Sequence, residues 1–240
     1  MREQDIAETQ ARYQKRWVAY GYDPRTLGWN KDCQWVRFEA VLEGLRPDDF
    51  NSILDVGCGF GDLLIYLRHC GWKGRYVGVD LVPQLIDEAR RVHSEDAGSE
   101  FVCADVAQFM SNQSFDLVVA IGMFNHRISQ GNLEFIGETM EKMWTLSLRA
   151  VVCDFLCSSA DPQRREPRLY YASVGEIFTL AARYSRRVMI HHAYMPFEFQ
   201  VKIWHEDKFL VQEPVFAPYK ELAHKQSAFA KGRSGLQEGP

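Results

Sequence analysis

Between Ile53 and Leu64 the sequence reads ILDVGCGFGDLL, and past a helix-length segment it reads YVGVDLVP. An acid, Asp55, precedes three alternating glycines, Gly57, Gly59 and Gly61, and a second acid, Asp62, follows them. A third, Asp80, closes the next apolar run. Glycines at this spacing after a buried strand serve a turn whose angles a Cβ forbids, and let a ligand lie against bare main chain. An acid ending the second strand of a βαβ unit is placed to take two ribose hydroxyls. The motif is G-x-G-x-G, not the G-x-G-x-x-G of dinucleotide sites, and Asp62 would put negative charge where a pyrophosphate should sit. The acids suit a nucleoside cofactor that lacks phosphate and carries positive charge.

S-adenosylmethionine is such a molecule, and Asn51–Trp204 resembles the core of the class I S-adenosylmethionine-dependent methyltransferases. The resemblance implies an α/β, Rossmann-like methyltransferase fold. Its sheet has seven mainly parallel strands, a C-terminal antiparallel hairpin and helices on both faces. It also implies that Asp55, Gly57, Gly59 and Gly61 surround the methionine portion of the cofactor and that Asp80 holds the ribose. Leu81 then lies against the adenine, Asp105 meets the adenine amino group with Val106 beside it, and Ile121 and Gly122 offer backbone contacts. A helix N-cap is the competing role for Asp105. Arg37 is the candidate to pair with the cofactor's carboxylate.

The elements that must hold these residues follow from apolar period and breakers. Helices are expected over Asp5–Tyr20, Lys31–Leu45, Gly61–Cys70, Pro83–His93, Asn132–Leu148 and Ser173–Arg183. Strands are expected over Ser52–Val56, Arg75–Val79, Glu100–Cys103, Phe115–Ile121 and Ala150–Phe155, with Arg187–Ala193 and Phe197–Trp204 as a hairpin. The β/α alternation calls for a mainly parallel sheet covered on both faces. Residues 1–50 are expected to form a helical lid, 51–206 the cofactor-binding core, and 207–240 an extension with a partly disordered end.

Methyl transfer from a sulfonium is an in-line displacement that needs collinear geometry and exclusion of water. The acceptor should meet the methyl above the carboxyl ends of the strands. After the fourth strand the chain reads Met123-Phe124-Asn125-His126-Arg127. His126 is the candidate base, since imidazole titrates near neutrality. A loop histidine at the rim is the equal alternative. Asn125 and Arg127 are candidate positioning groups. The run is not the N-P-P-Tyr type that similar enzymes use on nucleobase or amide amines. The aromatics Tyr13, Trp17, Tyr20, Tyr22 and Trp29 either cover the acceptor or pack α-helix to core. Arginines 164, 165, 168, 183, 186 and 187 are read as a solvated face rather than an anion site. No metal constellation is expected.

Composition sets outer bounds. The chain has 240 residues, 46% hydrophobic and 13% aromatic, enough for one large α/β domain with extensions. A net charge of -4 gives no general attraction to nucleic acid or anionic membrane. No apolar run is long enough to span a bilayer, and the charged start is unlike a secretory signal, so a cytoplasmic protein is expected. Six cysteines without C-x-x-C pairs read as reduced and mostly buried. The expected acceptor is a small molecule, at oxygen or nitrogen. The competing readings are a nucleic-acid or protein methyltransferase and a non-catalytic cofactor-binding regulator or scaffold. Oligomeric state is left open.

Overall fold

The computed structural model describes residues 1–29, 34–45 and 47–205. The expected start of the second helix at Lys31 and the extension 207–240 lie outside the described residues.

Seven strands form one sheet. They are β1 (Ser52–Val56), β2 (Arg75–Asp80), β3 (Ser99–Cys103), β4 (Phe115–Ala120), β5 (Ser147–Leu156), β6 (Val188–His191) and β7 (Glu198–Trp204), in spatial order β3-β2-β1-β4-β5-β7-β6. The first five in that order run parallel, and β7 and β6 close the sheet antiparallel, as the resemblance implied. The chain winds outward from β1 to β3, then crosses to the other side of β1 at β4. A ligand crevice belongs at that reversal, above the carboxyl ends of β1 and β4.

Strand alternation divides the core. Leu54, Val56, Val77, Val118 and Val151 point to one face, where α6 (Asn132–Leu146) and α7 (Val174–Ala181) cover them. Ile53, Tyr76, Leu117, Val119 and Val152 point to the other. There they pack with α3 (Gln34–Leu42), α4 (Asp62–His69) and α5 (Pro83–Val92). Strands buried on both faces read as continuous apolar runs, which is why they were legible. A small third cluster centres on Phe60, Val82 and Leu85. Tyr13 and Trp17 of α1 (Glu3–Tyr20) and Leu27 pack on it, and the Trp17 and Phe60 rings lie 5.9 Å apart. Tyr13 and Trp17 therefore pack helix to core, one of the two roles expected for the N-terminal aromatics.

Two local features differ from expectation. A four-residue helix, α2 (Pro24–Leu27), interrupts the expected loop, started by Asp23 accepting from the Arg25 amide and by Pro24 in its first turn. Helix α6 stops at Leu146, and β5 begins at once with Ser147, paired to Phe115.

Candidate active site

The carboxyl end of β1 turns through Gly57, whose φ of +77° suits a residue without Cβ and whose amide donates to Val79 O at 2.7 Å. Asp80, at the end of β2, accepts from the Gly59 amide at 3.0 Å and the Val82 amide at 2.9 Å. One carboxylate thus fastens the glycine loop to the start of α5. Burial raises its pKa to about 6 against the pull of those amides. Asp55 is buried beside it and accepts from Tyr76 Oη; desolvation lifts it to about 7, helped by Asp80 and Asp62. Asp62 accepts from Gln34 Nε2 at 3.0 Å and is also raised, mainly by burial.

All three acids face one cleft. Leu81, Asp105 and Val106 line one end, and Ile121, Gly122, Met123 and His126 the other. Thr9, Arg12 and Tyr13 of α1, with Leu27 and Trp29, form its roof. Helix α1 is latched across it: Gln10 Nε2 donates to Leu81 O at 2.8 Å, and the Met1 amino group pairs with Asp105 at 2.8 Å. Asp105 also accepts from the Ala107 amide, so it shapes a turn and faces the cleft at once.

A second cavity, of about 870 Å³, adjoins the first. Tyr13, Leu27, Trp29, Gly122 and His126 line both. Its farther walls come from α1, from Asn125, from the segment between Ala160 and Tyr171, and from Met195, Pro196 and Phe197 before β7. The turn after β4 is held in place by that segment. Asn125 O accepts from the Tyr170 amide and Arg168 O from the Arg127 amide, both at 3.0 Å. Asn132 Nδ2 donates to His126 O at 2.7 Å. Burial, then the charges of Arg12, Arg16 and Arg168, push the His126 imidazole down to about 4. Beneath the turn, buried Asp154 of β5 accepts from the Gly122 amide at 2.6 Å; burial and Glu198 raise it to about 7.

A family model described as a methyltransferase domain matches residues 53–144. A protein of Mycobacterium tuberculosis that carries a methyltransferase name is 33% identical over 156 residues, covering 63% of this chain and 92% of that one. The chain belongs to the class I S-adenosylmethionine-dependent methyltransferases. Nodulation protein S of Rhizobium tropici is 31% identical over 119 residues, 46% of this chain and 49% of that one. The fold is shared with the Synechocystis magnesium protoporphyrin IX methyltransferase bound to S-adenosylhomocysteine. That match has a TM-score of 0.63 at 16% identity and covers 84% of this chain and 100% of that one. It is shared also with the Bradyrhizobium japonicum N-methyltransferase NodS, TM-score 0.61 at 16% identity, covering 82% and 99%. The cofactor of this methyltransferase is S-adenosylmethionine.

Of the expected cofactor residues, Asp55, Gly57, Gly59, Asp80, Leu81, Asp105, Val106, Ile121 and Gly122 converge on the first cleft. Two do not. Gly61 opens α4 behind the loop, and a Cβ there would meet Phe101 at 2.7 Å and His93 at 2.8 Å, so glycine there serves packing. Arg37 is committed elsewhere. Its guanidinium forms a buried two-point pair with Glu198, Nε at 2.7 Å and Nη2 at 2.5 Å, and lies 4.3 Å from the centre of the Trp29 ring. The sequence could not pair residues 161 positions apart. Of the turn residues, Asn125 and His126 enter the second cavity. Arg127 is exposed, donates to Pro167 O at 3.0 Å and lines neither space. His191 pairs with Glu43 at 3.1 Å, away from both.

Asp154, Thr9 and Arg12 were not foreseen as site residues. Arg12 had a legible signal, lying one residue before Tyr13 on an amphipathic helix. Asp154 had none beyond its strand-five position. Among the described residues no cluster of three or more His, Cys, Asp or Glu could hold a metal. No described helix is long and apolar enough to cross a membrane.

Proposed function

We propose that this methyltransferase transfers a methyl group from S-adenosylmethionine to an oxygen or nitrogen of a small molecule by in-line displacement. The observation that carries the reading is the second cavity. Its volume of about 870 Å³ falls in the ~300–1,000 Å³ range of small-molecule sites, and it meets the cofactor cleft at Gly122 and His126.

The cleft suits the cofactor on its own chemistry. Three desolvated acids, two of them raised to about 6 and 7, favour a cationic ligand with hydroxyls to share. When bound, the cofactor supplies an electrophilic methyl on a positively charged sulfur. In this reading Asp80 takes the ribose hydroxyls, and Asp55 and Asp62 offset positive charge at the methionine end. Asp105 receives the adenine amino group, with Leu81 and Val106 against the ring and Ile121 and Gly122 giving main-chain contact. Asn125 and His126 receive the proton-bearing group of the acceptor. With its imidazole neutral, His126 offers one ring nitrogen as a hydrogen-bond acceptor at physiological pH. Residues 1–50 act as a lid. Its helix α1 must shift to admit the cofactor, since the cleft beneath it measures about 120 Å³.

The test uses methyl-tritiated S-adenosylmethionine with three acceptor fractions of one cell extract: small molecules, RNA and protein. Label in the small-molecule fraction supports the reading. Label in RNA or protein overturns it. Tight cofactor binding with no transfer to any fraction favours a non-catalytic regulator.

A further inference from the structure

The arginines lining the cleft and the second cavity fall into two groups. Arg25 pairs with Asp23, Arg37 with Glu198, Arg164 with Asp161 and Arg168 with Glu166. Arg12 and Arg16, one turn apart on α1, have no carboxylate partner among the described residues. Nη1 of each is buried without a hydrogen-bond acceptor. Like charges four residues apart on a helix repel, and these half-buried groups have only the Tyr13 ring, 5.6 Å from the Arg16 guanidinium, and the field of Glu8 on Arg12 to offset it. Burial holds Arg12 below its ordinary pKa, and Arg16 adds to that.

The fold nevertheless makes room for the pair. A Cβ on Gly28 would stand 2.9 Å from Arg16 Nη1, so glycine there admits the guanidinium. Arg12 opens into the cofactor cleft, Arg16 into the second cavity, and both act electrostatically on His126 at the wall between them. One more group on that wall is unsatisfied: Asn125 Oδ1 is buried with no donor. The site therefore offers two orphaned cationic donors and one orphaned neutral acceptor.

We propose that the acceptor is an anionic small molecule whose carboxylate or phosphate is received by Arg16 and Arg12, while its O–H or N–H donates to Asn125 Oδ1. This rests on the small-molecule reading above. Guanidinium groups are the side chains best matched to such anions, through paired charge-assisted hydrogen bonds. The anion would supply the salt-bridge contact that neither guanidinium makes among the described residues, and so fix the nucleophile's distance from the methyl.

The experiment is calorimetry on the full chain saturated with S-adenosylhomocysteine, titrated with benzoate, phenyl phosphate and uncharged benzamide. One or both anions are expected to bind at least tenfold tighter than benzamide, and the tighter of the two identifies the anion. R12Q and R16Q should each weaken the preferred anion tenfold or more, and R16K should recover part of the loss. Affinity of R16Q for S-adenosylhomocysteine should stay within twofold, which also reports that the variant is folded. Benzamide binding as tightly as both anions, or anion affinity unchanged in both variants, overturns the proposal. So does a loss confined to cofactor affinity, since the pair would then serve the cofactor's own carboxylate. Each of these leaves the small-molecule reading standing; label transferred to RNA or protein in the preceding experiment removes that reading itself.

Discussion

Asp80 accepts from two backbone amides, and in the proposed reading it also takes two ribose hydroxyls of the cofactor. Asp80→Ala should therefore weaken S-adenosylmethionine by about 1.5–3 kcal/mol, the range for a hydrogen bond to a charged group, measured by calorimetry. An unchanged dissociation constant would free Asp80 from the ribose. His126 is a different case. The sequence supports a base titrating near neutrality, whereas the structure holds its pKa near 4 through burial and the fields of Arg12, Arg16 and Arg168. A depressed pKa leaves the imidazole deprotonated from about pH 5 upward, so no limb from His126 should appear in the rate profile near neutrality. Proton transfer to so weak a base gains little, and His126→Ala should cost turnover on the order of 10², the low end for general-base loss. Replacing Arg16 by Gln removes one positive charge and should raise the His126 pKa, read by imidazole NMR titration. Glu166 and Asp161 line the same cavity and remain in place. A His126 pKa that does not move in R16Q would mean the guanidinium points elsewhere.

Helix α1 is the element on which access would depend in the proposed lid reading. It is amphipathic, packs Tyr13 and Trp17 on Phe60, and is tied to the body by a few discrete bonds. Asp5 is buried and accepts from the Ser129 amide at 2.7 Å, from Ser129 Oγ at 3.0 Å and from the Gln130 amide at 3.2 Å. These bonds outweigh its desolvation and lower its pKa. Asp5→Ala should loosen the helix, so amides of residues 3–20 should exchange faster by mass spectrometry. Excess cofactor should restore protection in the native chain; equal, strong protection with and without ligand would make α1 a fixed structural helix. The long elements were legible because a buried parallel strand and an amphipathic helix each carry their own period. Less was legible where local signals run short or contacts run long. α2 spans a single turn. Ser147 begins a strand with no turn residue between it and α6. Arg37 finds its partner on β7, and no local pattern encodes that choice.

At the scale of the sheet, buried acids gather at the carboxyl ends of the strands, under the site. Asp55, Asp80 and Asp154 are desolvated together; Asp55 and Asp80 are raised to about 7 and 6 from an ordinary 3.8, and Asp154 is raised by burial and by Glu198. A carboxyl whose pKa is raised on folding binds more protons in the native than in the unfolded state between those values. Asp55 and Asp80 should therefore each withdraw stability from the unliganded chain as pH rises from about 4 through 7, against an opposite contribution from His126, which folding holds neutral, so the thermal midpoint of Asp55→Asn should fall less over that range than that of the native chain. A cation over Asp55 favours its ionised form, so cofactor binding should release protons in the same window. Affinity for S-adenosylmethionine should rise with pH until Asp55 is ionised. S-adenosylhomocysteine lacks the sulfonium and keeps only the ammonium, so its affinity should rise less. The ratio of the two dissociation constants, followed by calorimetry from pH 5.5 to 8, isolates the sulfonium's share. Asp55→Asn keeps the shape and removes the titration, and should flatten that ratio. A ratio that is flat in the native chain as well would mean the acids hold the glycine loop and the sheet end but do not answer the sulfonium's charge.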